Sequence, residues 1–148
     1  MDALIIPGGE STVMGKLLAD MGMTFGLKQR ITDGLPVFGT CAGMILLAKK
    51  IDNGPGKSLS TFPATVKRNA FGRQLGSFTT VSKFGDLGDI PMEFIRAPIM
   101  TEIGEGVTVL SKVDGKTVAA RYKEQLVTAF HPELTDCDTV HRYFLDMI

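Results

Sequence analysis

Short apolar runs punctuated by glycine and proline dominate the first third of the chain. Ala3-Leu4-Ile5-Ile6 ends in Pro7-Gly8-Gly9, the pattern of a buried strand stopped by a turn. Ser11 or Thr12 is a residue type that caps helices, and a helix is predicted from there to about Met21. A second, weaker helical pattern runs from about Phe25 to Thr32 and ends near Gly34. Pro36-Val37-Phe38 reads as a second buried strand, and Ala42 to Ile51 as a helix with an apolar face. Two strand–helix units in succession, joined by short links, predict an α/β domain with parallel strands.

The pattern changes after residues 52–63, DNGPGKSLSTFP, whose Gly, Pro and Ser mark a loop. Short strands are predicted at Ala64–Lys67, Ser77–Ser82, Phe94–Arg96, Val107–Val113 and Thr117–Arg121. Val113-Asp114-Gly115-Lys116 is a hairpin turn, because Asp-Gly accepts the positive φ that a type I′ turn needs. Leu126–Phe130 reads as a third buried strand, and a helix is predicted from about Thr135 to the end. The sequence holds no internal repeat and no low-complexity tract.

Composition narrows the class of protein. The 148 residues suffice for one compact domain with a real core, and 44% hydrophobic against 22% charged residues argues against disorder. Sixteen basic residues balance 16 acidic ones, so charge gives no reason to expect a nucleic-acid or anionic-membrane partner. No apolar stretch is long enough to span a bilayer, and MDALIIPGGES lacks the features of a signal peptide. Cys41 and Cys137 make neither a disulfide framework nor a zinc site by spacing, so a reducing, cytoplasmic setting is expected.

Three stretches carry candidate chemistry, each directly after a predicted strand. Gly39-Thr40-Cys41-Ala42-Gly43 has the form G-x-C-x-G between strand and helix, the thiol version of a nucleophile elbow. Small neighbours let the chain turn sharply with the side chain outward, and a helix N-terminus favours a thiolate. A buried cysteine at a strand end fits the same residues. His131-Pro132-Glu133 follows the third apolar strand; the imidazole can serve as base, with Glu133 fixing its tautomer. A solvated loop histidine is the alternative there, and His141 lies inside the last helix, where a surface role is expected. Pro7-Gly8-Gly9-Glu10-Ser11 offers bare backbone N–H groups, yet lacks the glycine and hydroxyl positions of a phosphate loop. On residue type alone, Arg68, Arg73 and Arg96 read as solvated charges at strand edges.

Elbow, downstream H-x-E and upstream Gly-rich loop together resemble the class I (triad) glutamine amidotransferases. Within these, LIIPGGEST, PVFGTCAGMILLAKKI, VKRNAFGRQLGSF, FIRAPI and AFHPELT are similar to the glutaminase subunits of pyridoxal 5′-phosphate synthase. The resemblance implies a three-layer, flavodoxin-like α/β fold with a mostly parallel central sheet. It further implies Cys41 as nucleophile, His131 as general base and acid, and Glu133 as its orienter. Gly9 and Ala42 would supply oxyanion N–H groups, with Gly8, Gly9, Glu10, Arg68, Ile95 and Arg96 binding substrate. An arginine suits the α-carboxylate of L-glutamine as a planar, permanently charged fork.

The implied reaction is hydrolysis of glutamine to glutamate and ammonia, with no metal or organic cofactor. The ammonia would pass to a synthase subunit that joins it to ribose 5-phosphate and glyceraldehyde 3-phosphate, and docking of that partner would switch the glutaminase on. Met1 stands just before the Gly-Gly strand, so residues 1–148 are expected to form one glutaminase domain lacking the family's opening strand–helix–strand region. SLSTFP at 58–63 replaces the family's usual Leu-Gly-rich turn. A non-catalytic partner of the synthase is the competing reading.

Overall fold

The computed structural model describes residues 1–54, 59–71 and 76–148. Arg73 and its neighbours in the Phe-Gly-Arg-Gln segment, and Ser58, lie outside the described residues. The first half contains β1 (Leu4–Ile6), α1 (Ser11–Asp20), α2 (Thr24–Thr32), β2 (Val37–Thr40), α3 (Ala42–Leu47), β3 (Ala48–Ile51) and β4 (Phe62–Lys67). Next come β5 (Ser77–Lys83), β6 (Asp89–Ile95), β7 (Ile99–Ile103), β8 (Thr108–Val113), β9 (Lys116–Tyr122) and β10 (Gln125–Thr128). A 3-10 turn at Pro132–Leu134 and helix α4 (Thr139–Leu145) complete the chain.

The α/β class stands, but the sheet is mixed rather than mostly parallel. Its eight strands run β1-β2-β10-β9-β7-β4-β3, with β8 paired to β9. Among the described residues parallel pairing is confined to β1/β2, β2/β10 and β3/β4; β9 pairs antiparallel with β7, β8 and β10, and β4 with β7. Strands β2 and β10 are buried at every position, as fits continuous apolar runs covered on both faces. Their carboxyl ends therefore lie side by side near the centre of the sheet, with Thr40 registered against Thr128.

Several local expectations are corrected. The segment 42–51 is not one helix: α3 stops at Leu47, and Ala48 enters β3 with an extended backbone. The free carbonyls at that helix end are satisfied from outside, by Leu59 N–H on Leu46 and Thr61 N–H on Leu47, both at 2.9 Å. The expected loop 52–63 accordingly gives way to β4 already at Phe62. Helix α1 is capped by Glu10 rather than Ser11 or Thr12; its carboxylate accepts from the backbone N–H groups of Thr12 (3.2 Å) and Val13 (2.7 Å). The last helix starts at Thr139, later than Thr135, and β7 is an additional strand. Asp114 and Gly115 both adopt positive φ (50° and 73°), as the predicted hairpin requires.

A second, two-stranded sheet, β5/β6, alternates more and less exposed positions and lays the buried face of β6 on the core. Phe94 of β6 stacks on Phe78 at 4.6 Å and meets Phe130 edge-on at 5.7 Å, while Phe71 contacts both Phe78 and Phe94. This aromatic cluster fixes the end of β6, and with it Ile95 and Arg96, beside the end of β10. Among the described residues no helix is long and apolar enough to cross a membrane.

Candidate active site

Cys41 sits at the junction of β2 and α3 with φ 50° and ψ −98°, a conformation L-residues adopt only under constraint. The constraint is visible in the packing. Cys41 N–H donates to Thr128 O at 2.7 Å, and the Cys41 carbonyl accepts from Ile45 N–H at 3.2 Å. A methyl group on Gly39 would stand 2.8 Å from the Gly43 carbonyl carbon and from the Leu47 side chain. A methyl on Gly43 would run into the Ile6 carbonyl oxygen and come within 3.1 Å of the Ile6 Cβ. The two glycines of G-x-C-x-G thus let β1, β2 and α3 approach closely enough to force the sharp turn. The buried-core reading of Cys41 holds only for its accessibility, since the residue is 8% exposed yet lines a cavity.

The thiol points toward Ile95 O at 3.9 Å, a long sulfur hydrogen bond. Its pKa is pushed up to about 11, first by burial, with the backbone N–H of Ala42 opposing and the negative field of Glu133 adding to the rise. In this geometry Cys41 is a protonated, resting thiol.

His131 follows β10 and donates its backbone N–H to Glu93 O of β6 at 2.8 Å. Its Nδ1 lies 2.7 Å from Glu133 Oε1, so an Nδ1–H to the carboxylate leaves Nε2 free to accept a proton. Gly8 backs the imidazole: a methyl there would be 3.1 Å from Nδ1 and closer still to Cε1. His141, by contrast, belongs to α4 and packs edge-on against Phe38, with ring centroids 6.1 Å apart.

Cys41 and His131 share the wall of one cavity of about 360 Å³, within the range of small-molecule sites. Gly9 and Glu10 of the β1–α1 turn, Arg68, Ile95 and Arg96 also line it. Of the remaining expected residues, Gly8 and Glu133 stand behind the imidazole, and the Ala42 N–H faces the thiol. Ile45 and Asn69 line the cavity without having been singled out from sequence, as does Ser11, expected only as a helix cap and as the end of the Gly-rich stretch. Each adjoins a residue that was: Ser11 follows Glu10, Asn69 follows Arg68, and Ile45 is one helical turn past Cys41.

Four lining residues have positive φ, Gly9 at 149°, Cys41 at 50°, Asn69 at 48° and Arg96 at 46°. Glu10, committed to its helix cap, has a pKa lowered chiefly by the Val13 and Thr12 N–H groups and slightly by Arg68. Arg68 Nε is buried with no hydrogen-bond partner among the described residues. An unpaired buried guanidinium donor costs free energy unless a ligand completes it. No cluster of metal-ligating side chains occurs among the described residues.

Comparison with known proteins bears on the family and the fold. The SNO glutamine amidotransferase family matches residues 1–148. Pyridoxal 5′-phosphate synthase subunit PdxT of Desulfitobacterium hafniense (strain Y51) is 53% identical over 148 residues, covering 100% of this chain and 74% of that protein. The protein of the same name from Streptococcus pneumoniae (strain CGSP14) is 54% identical over 147 residues, covering 99% and 76%. A crystal structure of a glutamine amidotransferase superposes with a TM-score of 0.95 at 45% identity, over 99% of this chain and 79% of the other. A glutamine amidotransferase from Thermotoga maritima, at 16% identity and a TM-score of 0.62, covers 97% of this chain and 60% of its own and shares the fold alone.

Proposed function

The chain belongs to the SNO glutamine amidotransferase family, and from that premise we propose that its 148 residues act as one glutaminase domain that hydrolyses L-glutamine and hands ammonia to a pyridoxal 5′-phosphate synthase subunit. The observation that carries the reading is the shared cavity of Cys41 and His131, with Glu133 at 2.7 Å from Nδ1. The relatives' name, a subunit of pyridoxal 5′-phosphate synthase, supports the destination of the ammonia.

The chemistry follows from the resting thiol. His131 Nε2 takes the Cys41 proton as the sulfur attacks the side-chain amide carbon of glutamine. The negative charge on the amide oxygen is met by the backbone N–H groups of Gly9 and Ala42. The imidazolium, steadied by Glu133, gives its proton to the departing ammonia, leaving a γ-glutamyl thioester on Cys41. Water deprotonated by His131 then attacks the thioester, and glutamate leaves as the thiol is restored. Arg68 receives the α-carboxylate, completing its orphaned Nε, while Glu10, Ile95 and Arg96 border the amino-acid end of the substrate.

Ammonia release from L-glutamine, with and without the synthase subunit and in Cys41→Ala, tests this. Release that needs both Cys41 and the synthase is expected. No Cys41-dependent release with a competent synthase present would leave the chain a binding partner only.

A further inference from the structure

We propose that Asn53 is a positioning residue for glutamine, acting through Arg68; the proposal rests on the substrate role assigned to Arg68 above. The parallel ladder between β3 and β4 ends where Ile51 registers against Val66 and Asp52 N–H donates to Val66 O at 2.9 Å. One residue further, the Asn53 carboxamide takes the place of a strand. Its Oδ1 accepts from the Arg68 backbone N–H at 2.9 Å, and its Nδ2 donates to the Arg68 carbonyl at 3.1 Å. A single side chain thus satisfies both backbone polar groups of residue 68, which lies just beyond the end of β4.

The other side of this turn is held as well. Asn69 turns through φ 48°, and Ala70 N–H donates to Ala97 O at 3.0 Å, in the link between β6 and β7. Between these two anchors the Arg68 side chain reaches the cavity wall, its Nε buried and unpartnered among the described residues. Gly54 clears the space it occupies, since a methyl there would stand 2.9 Å from Nη1. Asn53 fixes the backbone of the arginine and Gly54 leaves room for its guanidinium. Asn53 is itself exposed and buries nothing in the core, so its clamp serves Arg68 more than the stability of the fold.

The test is steady-state ammonia release from L-glutamine by the full chain with the synthase subunit present. It compares Asn53→Ala, Asn53→Asp, Arg68→Ala and the double variant Asn53→Ala/Arg68→Ala. Asn53→Ala should raise KM about tenfold with kcat within about twofold, because the reacting amide is remote from the misplaced guanidinium. Asn53→Asp, which keeps the acceptor for the Arg68 N–H, should fall between wild type and alanine. The double variant should be no worse than Arg68→Ala alone, the signature of two residues acting as one unit.

An unchanged KM in Asn53→Ala beside a raised KM in Arg68→Ala would overturn the proposal, as would additive effects in the double variant. An unchanged KM in Arg68→Ala would overturn the substrate role of Arg68 together with the proposal. If Asn53→Ala does not fold, Asn53→Asp carries the comparison, and a KM equal to wild type there overturns it.

Discussion

Replacing Gly8 by alanine probes the seat of His131 with one methyl group. Gly8 does not use the left-handed backbone region, so alanine meets no torsional penalty there. The new Cβ would stand 3.1 Å from His131 Nδ1 and nearer to Cε1, inside the 3.4 Å at which ordinary contact begins. The imidazole has to yield, because the obstacle otherwise is the backbone of the β1–α1 turn. Its place is held by Glu133 at 2.7 Å and by the His131 N–H on Glu93 O at 2.8 Å. A retreat on the order of 1 Å loosens the first of these and misplaces Nε2 relative to the thiol. Displacement of that size costs about 100-fold in rate, or about 2.7 kcal/mol of transition-state stabilisation. The assay is kcat for ammonia release with the synthase subunit present, beside a thermal melt. The expected result is kcat lowered about 100-fold with a melting temperature within about 4 °C of wild type. A kcat within about twofold of wild type would refute the argument that bare backbone at Gly8 sets the imidazole; a collapsed melt would make Gly8 a residue of the fold instead.

Three further outcomes follow from the elbow. In a Cys137→Ser background, alkylation of Cys41 by iodoacetamide should keep accelerating through pH 9 toward about 11, and Glu133→Gln, which removes a charge that opposes the thiolate, should move the profile to lower pH; a plateau near pH 9 would contradict this. Because the folded chain holds the Cys41 proton more tightly than the unfolded one, that contribution to stability is whole below pH 9.0 and is lost as pH rises toward about 11, visible as a pH-dependent urea midpoint that Cys41→Ala lacks. Gly43→Ala sets a methyl against the Ile6 backbone carbonyl, which cannot move without parting β1 from β2; a loss of about 3 kcal/mol or more in urea unfolding is expected, and a wild-type midpoint would refute the packing account.

The strands that end at the site were legible because each is a short apolar run closed by a glycine, a proline or a small residue. Leu4–Ile6, Val37–Thr40 and Gln125–Thr128 fall close to the segments that the pattern marks. The end of α3 was not legible, since residues 42–48 are all buried and a continuous apolar run has no period to separate helix from strand. The mixed pairing of β4, β7 and β9 depends on partners far apart in sequence, which local pattern does not encode. At the site, Asn69 escaped notice because only the fold turns it toward the cavity. Asn53 escaped for another reason: it lies in a stretch whose composition says loop, and its use there is a contact with the end of a different strand.

The burial of Cys41 also bears on the durability of the protein. Peroxides attack the thiolate, not the thiol. A rise from 9.0 to about 11 lowers the thiolate fraction at neutral pH about a hundredfold. The Cys41 thiol is therefore shielded from sulfenic and sulfinic oxidation for as long as it stays protonated.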